Sequence, residues 1–273
     1  MKDLVKLKEY DGDDRVVDSF EIEKELEDES DAKVVNSNIP TLDKHIDGFQ
    51  QGELIVVGGP RKSGKTLLCQ TLTYDLNKQN VVPLWIQFEN QPKAFYKTFK
   101  TIGLPFFLQP RKLRTHSVDW LEERVAEAIA KFRAGAVFID HLHFLFDIAR
   151  SRSPSIEIGQ VIRKLKLIAV DYNIIIFILC HLRKINPNKD PTDGDFRDSS
   201  LIASESDTGL LIWRTPDVEN EAMLKVCYSR RTGANEQKVR MIKIEGFLRE
   251  VVDDKGHQKT GEEIWSPLAM GDQ

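Results

Sequence analysis

At 273 residues the chain can bury an ample core as one large α/β domain, alone or with an appendage. Cys69, Cys180 and Cys227 form no C-x-x-C pair and no metal-ligand spacing, which argues against a disulfide scaffold or zinc site and for packed thiols in a reducing compartment. No apolar run approaches the roughly 20 residues of a membrane span, the first nine residues lack a signal-peptide core, and the net charge of −4 is weak; a soluble intracellular protein with no membrane partner is expected.

The charge is unevenly spread along the chain. Residues 1–32 hold thirteen Asp/Glu against five Lys/Arg, a net −8, which leaves +4 on residues 33–273. Contact with nucleic acid is therefore expected only locally, through a loop or channel. Residues 1–36 read as an acidic tail or linker, and residues 37–273 as the folded domain. Within the tail, Phe20-Glu21-Ile22-Glu23-Lys24-Glu25-Leu26 is alternatively a short helix that docks on a neighbouring subunit.

From about residue 38 strand-like and helix-like stretches alternate, the pattern of a mostly parallel sheet with helices on both faces. The first strand covers 53–57, and the helix that follows runs to about Asn77. A second strand covers 81–88, followed by a helix near 92–100. Ser117 caps a helix through Lys131, in which Leu121, Val125 and Ile129 recur every fourth position. A short buried strand covers 136–139, and Ser153-Pro154 opens a helix through Val170. The run from Asn173 to Leu179 is too apolar for an exposed strand and belongs at the sheet centre. A polar loop from 183 to 198 precedes additional C-terminal strands at 209–213, 222–228, 239–244 and 248–252. There is no internal repeat.

Between the first strand and its helix stands G-P-R-K-S-G-K-T: Gly59, Pro60, Arg61, Lys62, Ser63, Gly64, Lys65 and Thr66. This is a complete Walker A sequence, or P-loop. The two glycines let backbone N–H groups wrap the phosphates of a nucleoside triphosphate, Lys65 adds a cation and Thr66 offers a hydroxyl to Mg²⁺. The positive end of the helix dipole points at the same anion. ATP or another nucleoside triphosphate, with Mg²⁺, is the expected cofactor pair.

Three polar strand ends complete the constellation. Val137-Phe138-Ile139-Asp140 is an apolar run ending in a carboxylate, as a Walker B strand requires for Mg²⁺. Glu89 ends the second strand, where a general base for water is needed. His181 follows the central strand, in reach of a terminal phosphate.

Taken together, Glu89, Ile139-Asp140-His141-Leu142 and Leu179-Cys180-His181-Leu182-Arg183-Lys184 resemble the RecA-type core of superfamily 4, DnaB-like, replicative helicases. Among these the pattern is similar to phage primase-helicases and Twinkle, which place a His at the sensor position. The resemblance implies a RecA-like P-loop NTPase fold over about residues 37–251. It also implies an ATP-dependent DNA helicase motor that moves on single-stranded DNA during replication as a ring-shaped homo-oligomer, expected to be a hexamer. Primase or other replication proteins are implied as partners, in the cytoplasm or nucleoid of a bacterium or phage-infected host, or in an organelle. Carried over by position, it makes Arg183, Lys184, Lys189 and Arg197 DNA contacts, Arg214 a neighbour of the base, and Arg230 an arginine finger that reaches the next subunit's nucleotide. The family's Lys two residues before the finger is Tyr228 here, a gap that Arg231 is a candidate to fill. A non-translocating ATPase of RecA, RadA or KaiC type stays open as the alternative, as does a nucleotide-binding protein without turnover.

Overall fold

These stretches fold as two units in the computed structural model, which describes residues 4–12, 14–28, 33–88, 92–113, 117–145, 154–182, 189–196, 199–215, 218–250 and 252. In the first unit, Met1–Lys33, helix α1 spans Leu4–Lys8 and α2 spans Ser19–Asp28. Asp18 caps α2, its Oδ1 accepting from the backbone N–H groups of Phe20 and Glu21 at 2.9 and 3.0 Å. Helix α2 thus covers the stretch Phe20 to Leu26 within the acidic segment.

The second unit, Val34–Gln273, opens with β1 (Val34–Val35), α3 (Pro40–Ile46) and β2 (Phe49–Gln50). There follow β3 (Leu54–Gly59), α4 (Lys65–Lys78), β4 (Val82–Gln87), α5 (Pro92–Ile102), α6 (Val118–Phe132) and β5 (Ala134–Asp140). The chain continues through α7 (Pro154–Asp171), β6 (Ile175–His181), α8 (Ser199–Glu205), β7 (Thr208–Arg214), β8 (Glu221–Ser229), β9 (Gln237–Ile244) and β10 (Phe247–Glu250). Ser117 caps α6 as expected, accepting from Trp120 N at 3.2 Å. Ser153, the expected cap of α7, lies outside the described residues.

One sheet holds β3 to β10 in the order β10-β9-β8-β7-β3-β6-β5-β4. The five strands from β7 to β4 are parallel, and β8, β9 and β10 extend the sheet as an antiparallel meander. β6 is the middle strand of the parallel five, which is why its apolar run is continuous: Ile175, Phe177 and Leu179 enter the core under α4 and α5, while Ile176, Ile178 and Cys180 enter the core under α6 and α7. The register stacks aromatics across strands. Trp85 lies opposite Phe138, and Phe138 opposite Phe177, with ring centroids 4.8 and 4.6 Å apart and nearly parallel planes. Such pairs contribute about 0.5–1.5 kcal/mol each beyond their burial.

The elements that sequence pattern passes over are short. α3 and α8 have seven residues each, too few to be stable by propensity, and both are held by tertiary contacts.

All three thiols are buried. Burial pushes Cys180 and Cys227 up to about 12 and Cys69 well above its ordinary 9.0. The folded state therefore keeps protons that the unfolded chain releases, so their contribution to stability falls as pH rises from about 9 towards 12. At pH 8 iodoacetamide should label none of the three in the native protein and all three in urea, read by mass spectrometry. Rapid native labelling would place a thiol at the surface.

Candidate active site

The parallel register brings the site together at the carboxyl edge of the sheet. Gly59, the last residue of β3, is paired with His181, the last of β6, and Asp140, the last of β5, is paired with Leu179 of β6. Ligand crevices of open α/β sheets lie beyond such strand ends.

The loop that follows β3 has the backbone its sequence requires. Gly64 has φ +107°, a conformation that a side chain strains, and sits at the N-cap of α4. A Cβ on Gly59 would stand 2.2 Å from the carbonyl oxygen of Ile212 and 2.5 Å from Ser63 Oγ, so only glycine fits between β3 and β7 there. Lys65 is 5% exposed, and its ammonium donates to the carbonyls of Gly59 and Pro60 at 2.8 and 2.9 Å. Its Nζ also lies 3.4 Å from His181 Nδ1. An ammonium only donates, so in this contact Nδ1 is the acceptor and the ring's donor nitrogen is Nε2. Thr66 Oγ1 donates to Asp140 Oδ2 at 3.0 Å, and Asp140 is fully buried.

Ser63 is buried, and its Oγ has no hydrogen-bond partner among the described residues. An orphaned hydroxyl, left-handed backbone at Lys62 and Gly64, and a lysine seated at the loop mouth fit a phosphate-binding nest. The Thr66–Asp140 pair is an oxygen donor set suited to Mg²⁺ beside those phosphates. Arg61 and Lys62 are exposed at the rim.

Other sequence-derived residues have different fates. Arg214 stands exposed at the carboxyl end of β7, on the edge that carries the loop. Lys189 is exposed, whereas Glu89, Arg183, Lys184 and Arg197 lie outside the described residues. Phe88 N donates to Asp140 O at 2.7 Å, which fastens the residue after β4 beside the end of β5.

Arg230 is on the opposite edge of the sheet. β8 runs antiparallel to β7, with Ser229 opposite Thr208, which is itself paired with Ile55 near the start of β3. The length of β3, about 17 Å at the usual rise, separates that edge from Gly59. The Arg230 guanidinium donates to the carbonyl of Ser204 in α8.

Arg231 corrects one expectation. Its guanidinium donates to the carbonyls of Ile46 and Gly48 at 2.7 Å and to Glu53 at 3.0 Å, so it closes the end of α3 and is spoken for. It does not replace the Lys that Tyr228 displaces. Tyr228 itself packs its ring on Gly209, and its hydroxyl is 2.7 Å from Ser206 Oγ. Burial holds its phenol protonated, above its ordinary range.

His141 is a site residue that sequence reasoning passed over. It is 9% exposed, and its ring meets that of His181 edge to face at 4.6 Å. Its signal was its place directly after Asp140, at a strand end already singled out.

Comparison with known proteins gives the family and the fold. The AAA domain family model matches residues 21–187, well over half of the sequence. The chain belongs to the AAA domain family. A probable replicative DNA helicase from Trieres chinensis is 24% identical over 215 residues, covering 66% of this chain and 47% of that one. The solved structure of a DnaB-like replicative helicase and its interactions with primase superposes with a TM-score of 0.72 at 17% identity, covering 91% of this chain and 70% of that one. The ATPase domain of G40P gives the same TM-score at 16% identity, covering 85% and 96%. These matches bear out the α/β, RecA-like fold and the likeness to DnaB-like helicase ATPase domains. The chain spans about half the length of the curated relatives it matches. Among the described residues, no helix is long and apolar enough to cross a membrane.

Replacing Arg231 with Ala should cost about 1–3 kcal/mol of folding free energy by stranding the carbonyls of Ile46 and Gly48 and the Glu53 carboxylate. Urea denaturation checks this, and an unchanged midpoint would return Arg231 to the pool of available cations.

Proposed function

We propose that the chain is an ATP-hydrolysing, oligomeric motor of DNA helicase type that moves on single-stranded DNA, with each nucleotide held between two copies. What supports this best is the pair of opposite edges: the phosphate loop at one and Arg230 at the other. A finger on Arg230 cannot serve its own loop across the sheet, but head-to-tail packing of copies would set it against the next one.

In this reading residues 59–66 cradle the phosphates of ATP, and Thr66 and Asp140 hold Mg²⁺, which when bound neutralises phosphate charge. Lys65 leaves its carbonyls for the phosphates. His181 donates from Nε2 to the terminal phosphate, held in orientation by His141. Glu89 orients and deprotonates the attacking water. Arg230 of the adjacent copy stabilises the charge of the transition state, an effect worth about 10³–10⁵ in rate. Arg214 covers the base. Lys189, with Arg183, Lys184 and Arg197, contacts the DNA backbone without sequence preference. Helix α2 docks the acidic N-terminal segment on a neighbouring subunit, and a primase or other replication protein is the expected partner in a bacterial or phage-infected cell.

Tyr228 favours one other reading, a non-translocating ATPase of RecA, RadA or KaiC type. Where the helicase pattern has a second cation near the finger, this chain has a phenol packed on Gly209.

Phosphate release should rise on adding oligothymidylate at low salt, a forked duplex should be unwound, and Arg230→Ala should lower turnover by about 10³-fold or more. Turnover with neither stimulation nor unwinding would leave the non-translocating ATPase, and no turnover at all would remove both.

A further inference from the structure

Lys225 is an ammonium inside the sheet that the chemistry above does not use. It is 2% exposed on β8, with Nζ 2.6 Å from Glu236 Oε2 and 3.3 Å from the carbonyl of Pro191, to which it donates. Its cross-strand partner is Lys238 of β9, and residues directly opposite in an antiparallel pair share a face. Lys238 pairs with Asp190. Two adjacent lysines of the β8–β9 hairpin thus grip two adjacent residues of one segment.

That segment, residues 189–196, is the returning limb of the loop that leaves the sheet after His181. Leu182 and Phe196 close the loop with an antiparallel bridge. Thr192 and Asp195 stiffen the limb through a reciprocal capping box. Phe196 is fully buried against β3, where a Cβ on Gly58 would meet its ring at 2.3 Å. The limb is therefore seated on the phosphate-loop strand at one end and on β8 at the other, and β8 leads directly into Arg230.

We propose that Lys225 is a positioning residue: its ammonium, with that of Lys238, fixes the limb carrying Lys189 on the strand that carries Arg230, so that the nucleic-acid contact and the finger keep one geometry. This rests on the reading of Lys189 as a DNA contact. A lysine buried solely for stability is hard to account for, because an apolar side chain of equal volume commonly serves as well or better. Its partner Glu236 is largely exposed and stays solvated without it. Lys225→Met should accordingly fold, its melting temperature lowered only by the one hydrogen bond to the Pro191 carbonyl that it gives up.

The test measures the oligothymidylate concentration that gives half-maximal stimulation of phosphate release, together with the maximal rate, in the full chain. Lys225→Met should raise the half-saturating concentration by about 10-fold, the scale of losing one charge-assisted phosphate contact, with the maximal rate retained. Lys238→Ala, a surface change that cannot empty the core, should shift it in the same direction by a smaller factor, and this arm decides the matter should Lys225→Met fail to fold. Lys189→Ala is the control. If it weakens oligonucleotide dependence while Lys225→Met and Lys238→Ala do not, the positioning role is overturned; if none of the three changes it, the DNA contact itself is wrong. A joint fall of melting temperature and maximal rate at an unchanged half-saturating concentration would make Lys225 a structural residue and also overturn the proposal.

Discussion

Everything at the candidate site depends on the register between β3 and β6. Because Gly59 is paired with His181, the lysine one helical step beyond the loop reaches back to the imidazole of the neighbouring strand, and Asp140 on the far side of β6 meets Thr66. A parallel pair has side chains with a period of two, so a one-residue slip would turn His181 to the other face and bury a different set of side chains under each layer. The register is well defended. Both faces of β3 and β6 are buried, and the Trp85, Phe138 and Phe177 rings stack only when β4, β5 and β6 are aligned as observed.

The antiparallel extension of the sheet gives two neighbouring arginines unlike tasks. β8 must run against β7, so it ends at the edge remote from the phosphate loop, and the turn that follows sends Arg231 inward to the end of α3. Arg230 is left outward on the carbonyl of α8. A permanently charged guanidinium needs several acceptors when it is partly buried, and the carbonyls of Ile46 and Gly48 with Glu53 supply them. The same strand carries Lys225 inward to the returning loop limb and Tyr228 against Gly209, so its side chains tie that limb and β7 to β8.

Much of this was legible in the amino-acid sequence, for definite reasons. The strand, loop and helix around Gly59 to Thr66 combine an apolar run with glycines at fixed positions, a local signal that needs no tertiary partner. Asp140 and His181 could be found because buried parallel strands are continuous apolar runs, and the first polar residue marks the sheet edge. α3, α8 and the role of Arg231 were not legible. Arg231 meets Ile46 from 185 positions away, and α8 is held partly by Leu201 packing on Gly159, where a Cβ would stand 2.8 Å from its Cδ1. Neither partnership leaves a mark on local pattern. His141 was within reach, yet its contact with His181 depends on two strand ends lying side by side, which the register alone reveals.

The central claim is that one copy's phosphate loop is completed by the next copy's Arg230, and subunit mixing tests it most directly. Lys65→Ala and Arg230→Ala chains are each expected to be nearly inactive alone. Mixed in equal amounts and allowed to exchange, they should recover about a quarter of wild-type phosphate release, because one head-to-tail junction in four then pairs an intact Lys65 with an intact Arg230. No recovery in a mixture shown to contain mixed assemblies, or full activity of the Arg230→Ala chain by itself, would contradict the shared site.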